Sequence, residues 1–260
     1  MDFIIVCLVA MTASALTFFS GFGLGTLLMP VIAIFFPLET AIAMTAMVHL
    51  ANNGFKIALL GRNADINILF RFGLPAILAS FAGAAVLIWL SQISRTYALY
   101  EYQLFANTYE VLPIKLVIGS LMLCFVIMEL IPRFAKLAFS LNFLPLGGVI
   151  SGFFGGLSGH QGAFRSMFLL KAGLTKEAFI ATGIVVAIMV DLARIAVYGL
   201  DISTYQKQLE WPLIVAATLS AFTGAYCGSK LLKKVTIRFI RIMVSILLAV
   251  VAIGLMAGIL

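Results

Sequence analysis

The chain has 260 residues, of which 63% are hydrophobic and only 10% charged, with a mean hydropathy of +1.16. A soluble domain carries about 25% charged residues, so this composition excludes a soluble fold and predicts an all-α polytopic membrane protein. The net charge of +7 sits mainly in short segments between apolar runs. Such charges orient spans and do not form a nucleic-acid-binding face.

Phe3–Phe36 is the first apolar segment. Asp2 is its only early charge, and a cleaved signal peptide wants a basic start, so the segment reads as retained. Its 34 residues would form a straight helix of about 51 Å, against a hydrocarbon core of about 30 Å. Ser20-Gly21-Phe22-Gly23 and then Pro30 interrupt it, which predicts a broken helix or hairpin. Spans follow at Thr40–Leu60, Leu69–Leu90 and Pro113–Leu130, with a Tyr-rich loop over Ser94–Leu112. Phe143–Leu170 repeats the interrupted pattern, with Ser151-Gly152-Phe153 and Gly155-Gly156-Leu157-Ser158-Gly159-His160-Gln161-Gly162 inside it. Lys176–Gly199, Leu213–Leu232 and Ile237–Leu260 complete the set. These runs are continuous, whereas a transmembrane β-barrel shows short alternating segments. Cys7, Cys124 and Cys227 are far apart in apolar stretches, which predicts neither a disulfide framework nor a metal site.

The charges give a topology. Lys230, Lys233, Lys234, Arg238 and Arg241 mark the last connection as cytoplasmic. Counting back places Lys171 and Lys176 inside and Asp201–Glu210 outside. If the broken second segment makes no net crossing, Arg133 and Lys136 are inside and Ser94–Leu112 is outside. Each half is then one broken helix or hairpin plus three spans. Residues 1–132 and 133–260 form two repeats of opposite orientation.

A repeat is legible in the residues themselves. Laying Glu39–Gly61 over Glu177–Gly199 gives seven identities in 23 positions, at Glu39, Ile42, Ala43, Val48, Ile57, Ala58 and Gly61. The same alignment puts Asn53 on Asp191 and Lys56 on Arg194. His49, Asn53 and Lys56 share one helix face by their spacing, as do Asp191, Arg194 and Tyr198. An ionisable residue inside a span costs about 2.5–3.5 kcal/mol on insertion scales. Finding such residues at equivalent places in both halves predicts a polar site at a repeat interface.

Lys56 and Arg194 would supply positive charge to an anion and Asn53 and His49 hydrogen bonds. The bland alternative for Asp191 and Arg194 is an ion pair across one helical turn, and Lys56 could snorkel toward a helix end. His160, Gln161 and Arg165, three polar residues within six, predict a wet cavity at the second break. Gly21, Gly23, Gly155 and Gly156 either free backbone N–H groups at half-helix N-termini, which attract anions, or let helices pack closely. Asp191 and His160 are the candidates for a coupling proton. A neighbouring cation keeps a carboxylate ionised, so His160 has the stronger claim, because imidazole titrates near neutrality.

Two stretches carry a family resemblance: SGFGLGTLLMPVIAIFFPLETAIAMTAMVHLANNGFKIALLGR and SGFFGGLSGHQGAFRSMFLLKAGLTKEAFIATGIVVAIMVDLARIAVYG. The chain resembles the TauE/SafE, or sulfite exporter, family of membrane permeases over essentially its whole length. The resemblance implies transport of sulfite or another small sulfur-containing anion such as an organosulfonate. No G-x-x-x-x-G-K-[ST] phosphate loop occurs, so the expectation is a secondary transporter of the inner membrane, without cofactor and not an enzyme. Its partners would be the anion and the lipid bilayer, with room for an H⁺ or Na⁺ co-ion and for a homo-oligomer. Uptake of a different small anion is the rival within transport. The rival outside it is an intramembrane serine hydrolase built on Gly156-Leu157-Ser158-Gly159, which would need a base beside Ser158.

Overall fold

The computed structural model describes residues 1–17, 23–60, 63–105, 107–131, 138–200, 209–231 and 237–260. The first half holds α1 (Asp2–Thr17), α2 (Gly25–Phe35), α3 (Leu38–Leu60), α4 (Ile66–Thr96) and α5 (Pro113–Leu130). The second holds α6 (Leu144–Ser158), α7 (Gly162–Leu169), α8 (Lys176–Leu200), α9 (Trp211–Leu231) and α10 (Ile237–Met256). The protein is an all-α membrane protein. Both interrupted segments are indeed broken, into α1 and α2 and into α6 and α7.

Local chemistry sets these boundaries. Gly159 has φ +80° and Gly23 has φ +79°, a left-handed conformation that favours glycine. Gly159 closes α6, with its N–H donating to the Gly155 carbonyl at 3.0 Å. Asp65 caps α4, its carboxylate accepting from the Ile68 N–H at 2.9 Å. A π-turn over Leu69–Gly73 follows, just ahead of Pro75, which has no N–H to return to the preceding turn. The helix then runs on to Thr96, six residues past the span expected from the sequence.

The Ser94–Leu112 connection is not a plain loop. Strands β1 (Tyr100–Leu104) and β2 (Asn107–Val111) pair antiparallel, with Tyr102 opposite Tyr109. Alternation puts Tyr100, Tyr102 and Tyr109 on one face, where their rings stack. The Tyr102 hydroxyl donates to the Ala257 carbonyl at 2.7 Å, so the hairpin is moored to the end of α10.

Two seams organise the helices. Along α4 and α6, Gly148, Gly152 and Gly156 lie on the carbonyls of Phe72, Ala76 and Ser80, where a Cβ would strike backbone. Residue numbers rise together, so the two helices are parallel. Along α1 and α9, Gly224 and Gly228 lie on the carbonyls of Met11 and Ala15, again in parallel. The first broken helix of each half thus packs against the fourth helix of the other half. Such close backbone approach is how small residues join membrane helices. Ser151-Gly152-Phe153 therefore lies inside α6 at a seam and does not break the helix. Its supposed counterpart Ser20-Gly21-Phe22 is outside the described residues, as are Gly61, Arg133, Lys136, Lys233 and Lys234.

Outward faces are apolar: Phe70, Leu74, Leu78 and Phe81 on α4 and Val215 and Leu219 on α9 are exposed. Among the described residues, Ile66–Thr96, Leu141–Ser158, Lys176–Gly199 and Trp211–Lys230 are long and apolar enough to cross a bilayer. The polar residues point the other way, inward, where α3 and α8 meet the two breaks.

Candidate functional site

The site forms where α3 from the first half crosses α8 from the second. Asp191 is fully buried and binds two partners. Arg194, one turn on, approaches its Oδ1 with Nε at 3.0 Å and a terminal guanidinium nitrogen at 2.7 Å. His49 Nδ1 lies 2.6 Å from its Oδ2. The expected one-turn ion pair is therefore present, and it is extended into a bridge between the two halves. The spacing of His49, Asn53 and Lys56 set His49 on the right face but did not reveal its partner, which lies 142 residues away.

Asn53 stands one turn from His49, its amide nitrogen 3.2 Å and 3.3 Å from the two ring nitrogens. Next to it Asn52, also buried, accepts from the Ser14 hydroxyl of α1 at 2.9 Å. Sequence reasoning assigned no role to Asn52, Ser14 or Thr45. Thr45, two positions past Ala43 in the repeat alignment, is buried on the face of α3 that meets α2.

Both breaks abut this crossing. A Cβ on Gly23 would lie 3.2 Å from His49 Nε2, and one on Gly159 would lie 2.7 Å from a guanidinium nitrogen of Arg194. Gly25, at the start of α2, faces Thr45 at 3.5 Å and the Gly159 carbonyl at 4.0 Å by the same measure. The two half-helices α2 and α7 therefore begin close to one another, beside the His49–Asp191–Arg194 bridge. Helix N-termini carry partial positive charge and unsatisfied N–H groups.

Gly155 and Gly156 stand elsewhere. They belong to the last turn and a half of α6, not to a half-helix N-terminus. Gly156 abuts the Ser80 backbone, and Gly155 faces Val190 and Gln161. Of the two readings open for them, the structure displays close packing. The Tyr198 hydroxyl donates to the Gly156 carbonyl at 2.7 Å, tying α8 to this turn. Gly21 is outside the described residues.

The second break carries His160, Gln161 and Arg165, all buried. His160 Nδ1 donates to the Ser158 carbonyl at 3.1 Å. Its ring stacks on Phe125 of α5 at 5.2 Å between centroids. It makes no hydrogen bond to Asp191, so the two coupling candidates are not a pair. His160 Nε2 and both amide atoms of Gln161 are buried with no hydrogen-bond partner among the described residues, as is Thr45 Oγ1. Leaving such atoms unmatched is costly, about 1–3 kcal/mol each. Gln161 follows Gly159 by two residues and so lies at the entrance to α7, with Arg165 one turn further on.

Arg165 reaches across to Gly183 of α8 and lies within electrostatic range of Asp191 and of Lys56. Lys56 is itself buried on α3, so it does not snorkel to an exposed end. The buried charged residues among those described are Lys56, Arg165, Arg194 and Asp191. Three cations against one carboxylate leave an excess of positive charge in the interior.

Ser158 is not arranged as a nucleophile. Its hydroxyl donates to the Phe154 carbonyl at 3.2 Å, one turn back. The nearest imidazole nitrogen, His160 Nδ1 at 3.2 Å, also lies on the Ser158 carbonyl. A carbonyl only accepts, so that nitrogen bears the proton and cannot take one from serine. No group of three His, Cys, Asp or Glu suited to a metal ion occurs among the described residues.

A family model described as Sulfite exporter TauE/SafE matches residues 6–255 of the chain. No curated protein gives a significant match.

Proposed function

The chain belongs to the TauE/SafE sulfite exporter family, a family of membrane transporters, and we propose that it exports a small sulfur oxyanion or organosulfonate across the inner membrane. The anion would sit where the two breaks meet the α3–α8 crossing. Arg194, Lys56 and Arg165 would supply charge, and Asn53, His49, Gln161 and His160 hydrogen bonds. Gly23 would let the backbone of the first break approach the anion. A guanidinium fork matches the paired oxygens of sulfite or a sulfonate head as it matches carboxylate and phosphate.

One observation carries this reading. Unmatched polar atoms of Gln161, His160 and Thr45 are buried beside a surplus of buried positive charge. The Gln161 amide N–H and the Thr45 hydroxyl can donate to a small anion held by that charge, while His160 Nε2 and Gln161 Oε1 can only accept, as from a protonated anion or water. An apolar substrate would leave every one of those groups unsatisfied.

The transport cycle we propose is alternating access of two inverted repeats, residues 1–132 and 133–260, around this site. The reciprocal seams, α6 on α4 and α1 on α9, support a two-fold relation between the halves. Inversion follows if the hairpin of β1 and β2 faces outward and the basic segment before α10 faces inward. A negative-inside potential favours export of a monoanion that crosses without a proton by about 2.3 kcal/mol per 100 mV, and one that crosses with a proton runs down its own gradients, so no nucleotide is needed.

Reconstituted vesicles test the proposal. Purified protein in liposomes loaded with labelled sulfite or sulfoacetate should release label faster than protein-free liposomes do. Release no faster than from protein-free liposomes, for every sulfur anion tried, would overturn it.

A further inference from the structure

The His49–Asp191–Arg194 bridge does more than join the halves. We infer that His49 with Asp191 is the proton-coupling site of the protein, and that binding of the anion at Arg194 draws a proton onto this pair. The inference rests on the anion site proposed above.

The geometry gives the reason. Asp191 is wholly buried, and its two oxygens are divided between two partners. Oδ1 takes the guanidinium of Arg194, and Oδ2 takes the ring of His49 at 2.6 Å. Arg194 also extends a guanidinium nitrogen to the second break, within 2.7 Å of where a Cβ on Gly159 would lie. An anion lodged at that break competes with Asp191 for the same guanidinium. A buried carboxylate that loses its cation is strongly destabilised. The hydrogen-bonded partner that remains is His49, which balances the carboxylate when its ring is protonated. An anion entering with one negative charge is then matched by one proton entering from solvent, and the net charge of the site is unchanged.

The surroundings of His49 leave this role to it. Its own helix adds Asn53, which is uncharged, and Lys56 two turns on. From α8 come Asp191 and Arg194. Arg165 of α7 lies within electrostatic range of Asp191. The α2 segment, which packs on α3, has no ionisable side chain. On α9, Tyr226 and Lys230 are bonded to each other at an exposed end, with Cys227 between them. Asp191 is thus the only carboxylate among the buried described residues, and His49 the only imidazole bonded to it. His160, the coupling candidate favoured by sequence, donates instead to a backbone carbonyl and stacks on Phe125.

Proton uptake on ligand binding tests this. Purified protein in weakly buffered detergent solution near neutral pH, with a pH indicator, is titrated with sulfite and with methanesulfonate. Sulfite itself binds a proton near neutrality, whereas methanesulfonate stays ionised and reports on the protein alone. Binding of methanesulfonate should take up about one proton per protein, and by linkage its affinity should rise as pH falls. Ser158→Ala, whose hydroxyl is turned back to Phe154, should keep that uptake, and His49→Gln should bind methanesulfonate without it. Methanesulfonate or sulfite binding to the wild type with no uptake by the protein overturns the inference and leaves the anion site standing. Uptake that survives in His49→Gln also overturns it. Failure of both anions to bind overturns the anion site and this inference together.

Discussion

The two broken helices have the same construction and different chemistry. Each places a left-handed glycine, Gly23 or Gly159, just ahead of a short second helix. Each first helix packs in parallel on the fourth helix of the other half. Around the first break, among the described residues, stand the uncharged Thr45, Asn52 and Ser14 and the imidazole of His49. Around the second stand His160, Gln161, Arg165 and the guanidinium of Arg194. Likewise Asn53 in α3 is answered by the charged Asp191 in α8. In the proposed cycle the repeats would form a scaffold with two equivalent breaks, on which the charges are distributed unequally. A symmetric scaffold favours two exchangeable conformations, and the unequal charges would fix one binding place between them.

The all-or-none test of that comparison is topology. In a background lacking Cys7, Cys124 and Cys227, cysteine at Gln103 should label from outside intact cells. Cysteine at Lys234 should label only after permeabilisation. Labelling of both from one side would make the halves parallel and remove the basis for exchange between two mirrored conformations.

Removal of the charges comes next in size. Arg194→Ala and Lys56→Ala should each cut anion flux in liposomes by roughly tenfold or more, the effect of losing about 1.4 kcal/mol of stabilisation. Arg194→Ala also strands Asp191, and breaking a buried pair costs about 3–5 kcal/mol. Its thermal stability should therefore fall below that of Lys56→Ala. Full flux in both variants, each monodisperse, would show that the inequality between the halves has nothing to do with the substrate.

Much of this was legible in the residues. Helical class, the two interrupted segments and the face shared by His49, Asn53 and Lys56 follow from hydropathy and spacing. The Asp191–Arg194 pair follows from a one-turn separation. The His49–Asp191 contact does not, since nothing local to either residue specifies a neighbour on a distant helix. Local pattern also mislocated the second break. Ser151-Gly152-Phe153 reads like a breaker because glycine is helix-weak, but close approach to the Ala76 backbone gives Gly152 a reason to be helical. For Gly155 and Gly156 the sequence left close packing open, and their contacts with Val190, Gln161 and Ser80 are of that kind. The β-hairpin was hidden because its register and its anchorage on Ala257 are properties of the assembled fold.

The seams should respond with moderate losses of stability and a difference in position. Gly152→Val and Gly156→Val push a side chain into the α4 backbone, and overpacking costs about 1–3 kcal/mol. Gly224→Val on α9 should cost a similar amount against Met11. Gly54, whose Cβ would meet nothing within 4 Å, serves as the control, and Gly54→Ala should be neutral or slightly stabilising. Thermal unfolding of the four purified variants decides the matter. Equal stability throughout would mean that the two seams do not carry the packing that relates one half to the other.

The smallest effect is expected from Ser158→Ala, and its smallness is informative. Ser158 lies at the more polar of the two breaks, within 3.2 Å of an imidazole nitrogen, where a hydrolytic pair would be looked for. That nitrogen donates to a carbonyl, and the serine proton is directed back to Phe154. Loss of the hydroxyl removes one local hydrogen bond, about 0.5–1.5 kcal/mol, and leaves Arg194, Gln161 and Lys56 in place. Anion flux should stay within about twofold of the wild type, a difference of roughly 0.4 kcal/mol. A collapse of activity in a stable Ser158→Ala protein, accompanied by covalent labelling of wild-type Ser158 by a serine-reactive phosphonate, would turn the second break from a binding place into a reactive one.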